Sequence, residues 1–385
     1  MKILEVTNLF APVHGGAADA PFQLCRQLSQ RGHEITVYTT DYKLTDEYTS
    51  QLPGVKIKAF HTWFELANLH FTPGIIPAAK KEVKRFDVIH AHNYRTFQNM
   101  IVCHYANQYH VPYVLQSHGG VMPVLQRKGL KVMYDRVAGY KILRNAGKVI
   151  AGNVTEIGEY KNMGVDESKV VVIPPFYNTD EYAELPSPGL FRLKYGIKEK
   201  FIVLFLGRIH KIKGIDFLVD AFAELNKQRG DVFLAIVGPD GGFKAAVEEQ
   251  VNKLNLAGKV LFTGLLTGVD KYSAYVDASM LVQTSIYERG PGSPFEAILC
   301  GTPIIITRNT GAGEIVAKMD AGYLVDYGNI PELTNLMKKI IDNPSEIMRK
   351  TERARESIIN NLSWQNGVGQ FEKVYESLLS KGKEN

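Results

Sequence analysis

Cysteine is scarce in this chain: three residues in 385 (Cys25, Cys103 and Cys300), none at a metal-ligand spacing. That excludes a disulfide framework and a cysteine-based zinc site, and it fits a reduced, cytoplasmic setting. Long apolar runs are missing too, since none approaches the ~20 residues that span a bilayer. The opening Met1-Lys2-Ile3-Leu4-Glu5 lacks the pattern of a secretory leader. No Gly-x-Gly-x-x-Gly occurs, which argues against a dinucleotide-binding fold. No Asp-x-Asp occurs either, so that motif for holding a divalent ion is absent. The net charge of +5 is mild and does not imply nucleic acid as a partner.

What is present is an ordinary globular composition, 45% apolar and 22% charged. The length suits two domains, each with its own core. Strands are expected over 3–6, 35–39, 88–90, 114–116, 149–151 and 170–173, with a helix over 17–30 closed by Gly32. Pro174-Pro175 and the stretch 186–189 mark a linker. The alternation restarts with strands over 201–206, 233–237, 260–262, 280–283 and 304–307. A helix over 215–226 carries Ile215, Leu218, Val219, Phe222 and Leu225 on one face. Repeated βαβ units imply parallel sheets covered by helices. Two series in tandem give an α/β protein of two doubly wound domains, with ligands at the C-terminal ends of the strands.

The most informative stretch runs from Ser285 to Pro303, where Glu288 and Glu296 bracket a turn rich in glycine and proline (Gly290, Pro291, Gly292, Ser293, Pro294). Pro294 suits the first turn of a helix, Phe295, Ile298 and Leu299 give it an apolar stripe, and Gly301 stops it. Glu296 is then expected in the first helical turn, beside N–H groups that favour anions, and Glu288 just past a strand end. Carboxylates accept hydrogen bonds from hydroxyls while a helix start takes phosphate, a combination that suits a nucleotide sugar. Arg208 and Lys213 share the loop after 201–206, and a planar donor fork with a point charge matches a diphosphate. Alone, such a pair reads as solvated loop charge; the strand-end position and the glutamates downstream favour the ligand. His14-Gly15-Gly16-Ala17 opens the first helix, where glycines permit close backbone approach, although Gly-Gly is also an ordinary turn. His118 follows the strand 114–116 and precedes Gly119-Gly120; a lone histidine is commonly structural, and these neighbours favour a ligand role.

These motifs, in this order, resemble glycosyltransferase family 4. Further pieces of the pattern are Arg31-Gly32-His33-Glu34, Asp87-Val88-Ile89-His90-Ala91-His92, Val237-Gly238-Pro239, Phe262-Thr263-Gly264, Ala297-Ile298-Leu299-Cys300-Gly301-Thr302-Pro303 and Ser363-Trp364. The resemblance covers nearly the whole chain. It implies a retaining enzyme of GT-B architecture, two Rossmann-like doubly wound domains facing a central cleft. Residues 1–175 would form the acceptor-binding domain and 176–365 the nucleotide-sugar-binding domain, with a helix over 366–385 crossing back onto the first. By the same resemblance, Arg208 and Lys213 would neutralise the diphosphate, Glu296 would take the ribose hydroxyls, and Gly264 and Leu265 would meet the base. Glu288 would contact the transferred sugar, with His118 against it. Backbone at Gly290, Gly292 and Ser293 would reach phosphate, and Gly15 and Gly16 would approach from the first domain. No cofactor and no metal would be needed, the two cations standing in for a divalent ion.

Three departures from the family pattern stand out. Glu288-Arg289-Gly290-Pro291 replaces the usual Glu-Gly-Phe-Gly, and Pro291 offers no N–H to the sugar. Pro174-Pro175-Phe176-Tyr177-Asn178 replaces Pro-Asn-Gly-x-Asp at the hinge, and Asp19 stands where glutamate is frequent. Between 122 and 148, Arg127, Lys128, Lys131, Arg136, Lys141, Arg144 and Lys148 are opposed only by Asp135 and are interleaved with apolar residues such as Val124, Leu125 and Met133. Such a segment suits either an anionic membrane face or a solvated helix packed on its domain. The expected partners are a nucleotide-sugar donor and a hydroxyl acceptor, for which a lipid-linked glycan at the inner membrane face would fit. An epimerase on the same fold and a non-catalytic nucleotide-sugar-binding regulator are the alternatives.

Overall fold

The computed structural model describes residues 1–10, 16–66, 69–119, 121–122, 128–290 and 292–381. Gly15, Gly120, Val124, Leu125, Arg127 and Pro291 lie outside these residues, as do the side chain of Lys128 and the tail 382–385. The chain divides into two compact units, Met1–Tyr177 with Leu362–Asn385, and Asn178–Asn361.

The strands of the first unit are β1 (Lys2–Val6), β2 (Glu34–Thr40), β3 (Lys56–Phe60), β4 (Phe64–Leu66), β5 (Leu69–Phe71), β6 (Val88–His92), β7 (Tyr113–Gln116), β8 (Lys148–Ala151) and β9 (Val170–Val172). Seven form one sheet in the order β3-β2-β1-β6-β7-β8-β9, and every pairing in it is parallel. Its inner strands are buried on both faces, which is why they read as short continuous apolar runs. β4 and β5 form a separate antiparallel hairpin. β6 extends two residues beyond the expected 88–90, burying His92 beside His90.

The last helix, Trp364–Lys381, belongs to this unit. Glu372 Oε1 lies 2.9 Å from His33 Nε2, and Trp364 stacks on Phe371 at 6.1 Å. Gly367 is required there, because a Cβ would sit 2.2 Å from the Phe176 ring. Residues 128–145 form a continuous helix with a π turn at Asp135–Gly139. Asp135 does not oppose the basic residues of that helix. It is buried and takes a bidentate bond from Arg95, Nε to Oδ1 at 2.9 Å and Nη2 to Oδ2 at 2.7 Å.

In the second unit, β10 (Phe201–Leu206), β11 (Val232–Val237), β12 (Val260–Gly264), β13 (Met280–Gln283), β14 (Ile304–Thr307) and β15 (Tyr323–Val325) form a parallel sheet ordered β12-β11-β10-β13-β14-β15. The helix Ile215–Gln228 buries Ile215, Leu218, Val219, Phe222 and Leu225 against it, the face set out by their spacing. Strand order reverses between β10 and β13, the place where doubly wound sheets open a ligand crevice.

Candidate active site

At that reversal the loops after β10 and β13 meet. Arg208 is exposed two residues past β10, its stem lying over Gly241, where a Cβ would stand 2.8 Å from Arg208 Cγ. Among the described residues its guanidinium has no ion-pair partner. Lys211–Lys213 is a 3-10 turn whose start is capped by His210 Nδ1, which accepts from Ile212 N at 3.2 Å. Gly214 then turns left-handed at φ 60°, and a Cβ there would sit 2.1 Å from the Thr284 carbonyl. Only glycine allows this approach. Ile286 N bonds Ile212 O at 2.8 Å and Thr284 Oγ1 bonds Gly214 O at 2.7 Å, so the Lys213 backbone is fixed against the end of β13.

From there Lys213 Nζ donates to Glu288 Oε2. The same oxygen accepts from Gln283 Nε2 at 2.7 Å and Ser285 Oγ at 3.2 Å. Lys213 and Glu288 are both about four-fifths covered, with side-chain exposures of 18% and 20%, and sit as a mutually neutralised pair. Sequence reasoning placed them separately, one on the diphosphate and one on the sugar; the fold brings them together.

The position of Glu296 needs correction. The helix begins at Gly292 and runs to Leu299, so its first turn holds no acidic residue and Glu296 lies one turn in. Pro294 lies in the first turn, as expected, where its missing N–H is tolerated, and the helix starts two residues before it. The Glu296 carboxylate is held by side chains of the preceding helix, Gly268–Asp277, with Tyr275 OH at 2.8 Å and Lys271 Nζ at 3.2 Å from Oε2. Burial and that carboxylate both push the Tyr275 phenol up, keeping it a donor. Gly292 is exposed with open space around a would-be Cβ, and Ser293 beside it is half-buried. Gly264 ends β12 at φ 75°, and Leu265 after it is exposed.

The first unit carries a second constellation. His118, past the end of β7, holds a left-handed φ of 45°, an unusual cost for a bulky residue. Its Nε2 lies 2.9 Å from His92 Nδ1, and His92 Nε2 lies 2.6 Å from Glu5 Oε2 on β1. His90 turns its Nδ1 to Tyr375 OH at 2.8 Å. Burial pushes the Glu5 carboxyl well above the usual range, takes His92 down to about 3, and lowers His90 and His118. With the carboxyl and the imidazoles all neutral, the direction these shifts favour, Glu5 would donate to His92 Nε2 and His92 Nδ1–H to His118 Nε2, leaving His118 with Nδ1–H as its donor. Glu5, His90 and His92 have the composition of a metal centre, with ligand atoms within 4.8 Å of one another. The Glu5–His92 and His90–Tyr375 bonds engage Glu5 Oε2, His92 Nε2 and His90 Nδ1, while the buried Glu5 Oε1 and His90 Nε2 find no partner among the described residues. Gly16, first residue of the helix Gly16–Gln30, is exposed in this unit.

Residues 14–181 match the model of Glycosyltransferase Family 4, and residues 191–357 match that of Glycosyl transferases group 1. The chain belongs to glycosyltransferase family 4. It is a glycosyltransferase, and its fold is GT-B. Among its relatives is the N-acetyl-alpha-D-glucosaminyl L-malate synthase of Bacillus anthracis, 23% identical over 97% of this chain and 96% of that one. Another is the GDP-mannose-dependent alpha-(1-6)-phosphatidylinositol monomannoside mannosyltransferase of Mycolicibacterium smegmatis, 24% identical over 94% and 95%. The crystal structure of Anabaena HepE in complex with UDP and glucose superimposes with a TM-score of 0.78 at 21% identity, covering 98% of this chain and all of that one.

Sequence reasoning missed Glu5, His92, Gln283, Ser285, Lys271 and Tyr275. A signal existed for the first two: a glutamate inside the apolar run Ile3-Leu4-Glu5-Val6, and a His-Ala-His at a strand end.

Proposed function

We propose that this glycosyltransferase moves a sugar from a nucleotide-diphosphate sugar to a hydroxyl acceptor, with retention at the anomeric carbon and without a divalent metal. The observation that carries the reading is the Arg208 guanidinium, without an ion-pair partner among the described residues, on the same loop as the Lys213 of the Lys213–Glu288 pair at the sheet's reversal point. Breaking the anomeric bond leaves negative charge on the departing phosphate and positive character on the sugar. Arg208 and Lys213 are placed to meet the first, and Glu288 the second. In the resting molecule Lys213 and Glu288 satisfy each other; an arriving diphosphate competes for Lys213 and releases the Glu288 carboxylate toward the developing cation. Glu296, oriented by Tyr275 and Lys271, serves the ribose hydroxyls, and Gly264–Leu265 the base. In the first unit His118, fixed by His92 and Glu5, would offer Nδ1–H to the sugar. Retention follows if the acceptor attacks from the leaving-group face, with the phosphate oxygen drawing off its proton.

The UDP and glucose bound to HepE and the GDP-mannose dependence of the mycobacterial relative support a nucleotide-sugar donor. The phosphatidylinositol monomannoside in the latter's name supports a lipid-linked acceptor, for which the inner membrane face would be the place of work. No described helix is long and apolar enough to cross a membrane, so such work would be peripheral. The test incubates the protein with UDP-, GDP-, ADP- and CMP-sugars, measuring melting temperature and released nucleotide with and without acceptors. Acceptor-dependent release of a nucleoside diphosphate is expected. Conversion of the sugar without acceptor would make it an epimerase, and stabilisation without turnover a regulator.

A further inference from the structure

Two exposed apolar features of the first unit dock on the same helix start. The hairpin of β4 and β5 turns Trp63, Phe64 and Leu66 outward at 69%, 54% and 61% exposure. Phe71, the partner of Phe64 in the hairpin register, stacks on it at 4.9 Å and packs on Phe97 at 4.5 Å. Phe97 is the first residue of the helix Phe97–Gln108, capped by Thr96. The helical segment 128–145 reaches the same place, Tyr134 OH donating to Thr96 O at 2.8 Å. That segment has two apolar faces. Gly139, Ile142 and Leu143 are buried, while Leu130, Met133 and Val137 form an outer stripe at helical spacing, up to 74% exposed. Arg136, Lys141 and Arg144 are exposed on the same segment, and its one acid, Asp135, is turned inward onto Arg95.

We propose that the β4–β5 hairpin and this outer stripe form a docking surface for an anionic phospholipid membrane, the hairpin inserting its apolar side chains and the helix adding positive charge. Aliphatic side chains accompany the aromatics, which suits acyl chains better than the faces of a sugar ring. Tryptophan at such an edge is placed as it is at membrane interfaces, and Arg136, Lys141 and Arg144 outnumber the hairpin's one exposed acid, Glu65, and draw the surface to acidic headgroups. A basic helix alone would bind only electrostatically and let go at high salt; the hairpin supplies the second, apolar contribution. The proposal extends the lipid-linked acceptor reading but needs no sugar donor, so a failure to find transfer would leave it standing.

The chain's two tryptophans make the test direct, because Trp63 is exposed and Trp364 is 3% exposed. The full chain is sedimented with vesicles of phosphatidylcholine and of an equal mixture with phosphatidylglycerol, some carrying brominated acyl chains. Expected are binding to the mixed vesicles and quenching of tryptophan emission that disappears in Trp63→Phe while binding persists. Trp63→Ser with Leu66→Ser, and separately Lys141→Glu with Arg144→Glu, should each weaken binding roughly tenfold or more. Failure to bind mixed vesicles, binding without quenching, or undiminished binding by both double variants overturns the proposal. So does a Trp63→Ser, Leu66→Ser variant that loses acceptor turnover yet binds vesicles as before, which would make the hairpin a sugar-stacking platform.

Discussion

At the scale of single residues, the two glutamates have become physically distinct. Glu288 is bound to a cation whose proposed partner is the diphosphate, whereas Glu296 is held by Tyr275 and Lys271 on a neighbouring helix. Ribose hydroxyls are gripped alike before and during the reaction, so Glu296→Gln should raise the donor KM and leave kcat nearly unchanged. Glu288→Gln should lower kcat without raising that KM, since it also frees Lys213 for the donor. Steady-state kinetics on both variants decides the matter, and one shared pattern would remove the assignment. Arg208→Ala and Lys213→Ala should each cut turnover by a factor on the order of 10² or more. Arg208 is exposed, so a melting curve for its variant should superimpose on the parent's. Near-normal turnover in both would take the clamp out of the mechanism.

At the scale of elements, the strands buried on both faces were legible because their sequences are apolar runs, as in Phe201–Leu206 and Met280–Gln283. β3 was not, since Lys-Ile-Lys-Ala-Phe interleaves charge at a sheet edge. Of the three-residue strands, β9 was legible as a run of valines, whereas β4, β5 and β15 are too short to carry a period and lack such a run. The proposed site was legible where chemistry sits on loops with glycines, and illegible where it depends on which side chain a strand turns inward: Glu5, His92 and Gln283 all lie within strands. The glycine loops can be tested as structure. Gly214→Ala and Gly196→Ala both place alanine at a left-handed φ, 60° and 64°, but only at Gly214 would the Cβ strike backbone, while at Gly196 nothing lies within 4 Å. Gly196→Ala should cost about 1 kcal/mol. Gly214→Ala should cost roughly 2–4 kcal/mol and displace Lys213, lowering turnover as well. Urea unfolding midpoints measure the first comparison, and equal losses at both sites would show that the loop yields without strain.

The whole molecule carries two further expectations, the first chemical. With Arg208 and Lys213 in the role a divalent ion would fill, activity should persist in excess EDTA; loss on chelation, restored by magnesium or manganese, would point to a carboxylate site the sequence conceals.

The second expectation is a stability optimum set by the buried Glu5–His92–His90 cluster. His90, His92 and the adjoining His118 are held below their ordinary range, so near pH 5.5 the unfolded chain, with histidines titrating at about 6.5, binds three protons that the native state refuses. Their stabilisation is present above about pH 6.5 and is lost as the pH falls below it. Glu5 acts in the opposite sense. Its native carboxyl keeps a proton that the unfolded one has released above the model value of 4.5, so its contribution is full below 4.5 and drains away as the pH rises toward its native value. Between 4.5 and 6.5 the three histidines outweigh the one carboxyl, and the cluster's contribution climbs by about 2.7 kcal/mol per pH unit for the two net protons; above 6.5 the Glu5 decline is what remains of it. Glu5→Gln removes the titrating carboxyl while keeping a donor toward His92, so it should flatten the alkaline limb and leave the acid limb in place. Urea midpoints of both proteins from pH 5 to 9 measure this directly. An unchanged alkaline limb in the variant would mean that Glu5 is ionised in the native state and that the proton of the Glu5–His92 pair sits on the imidazole instead.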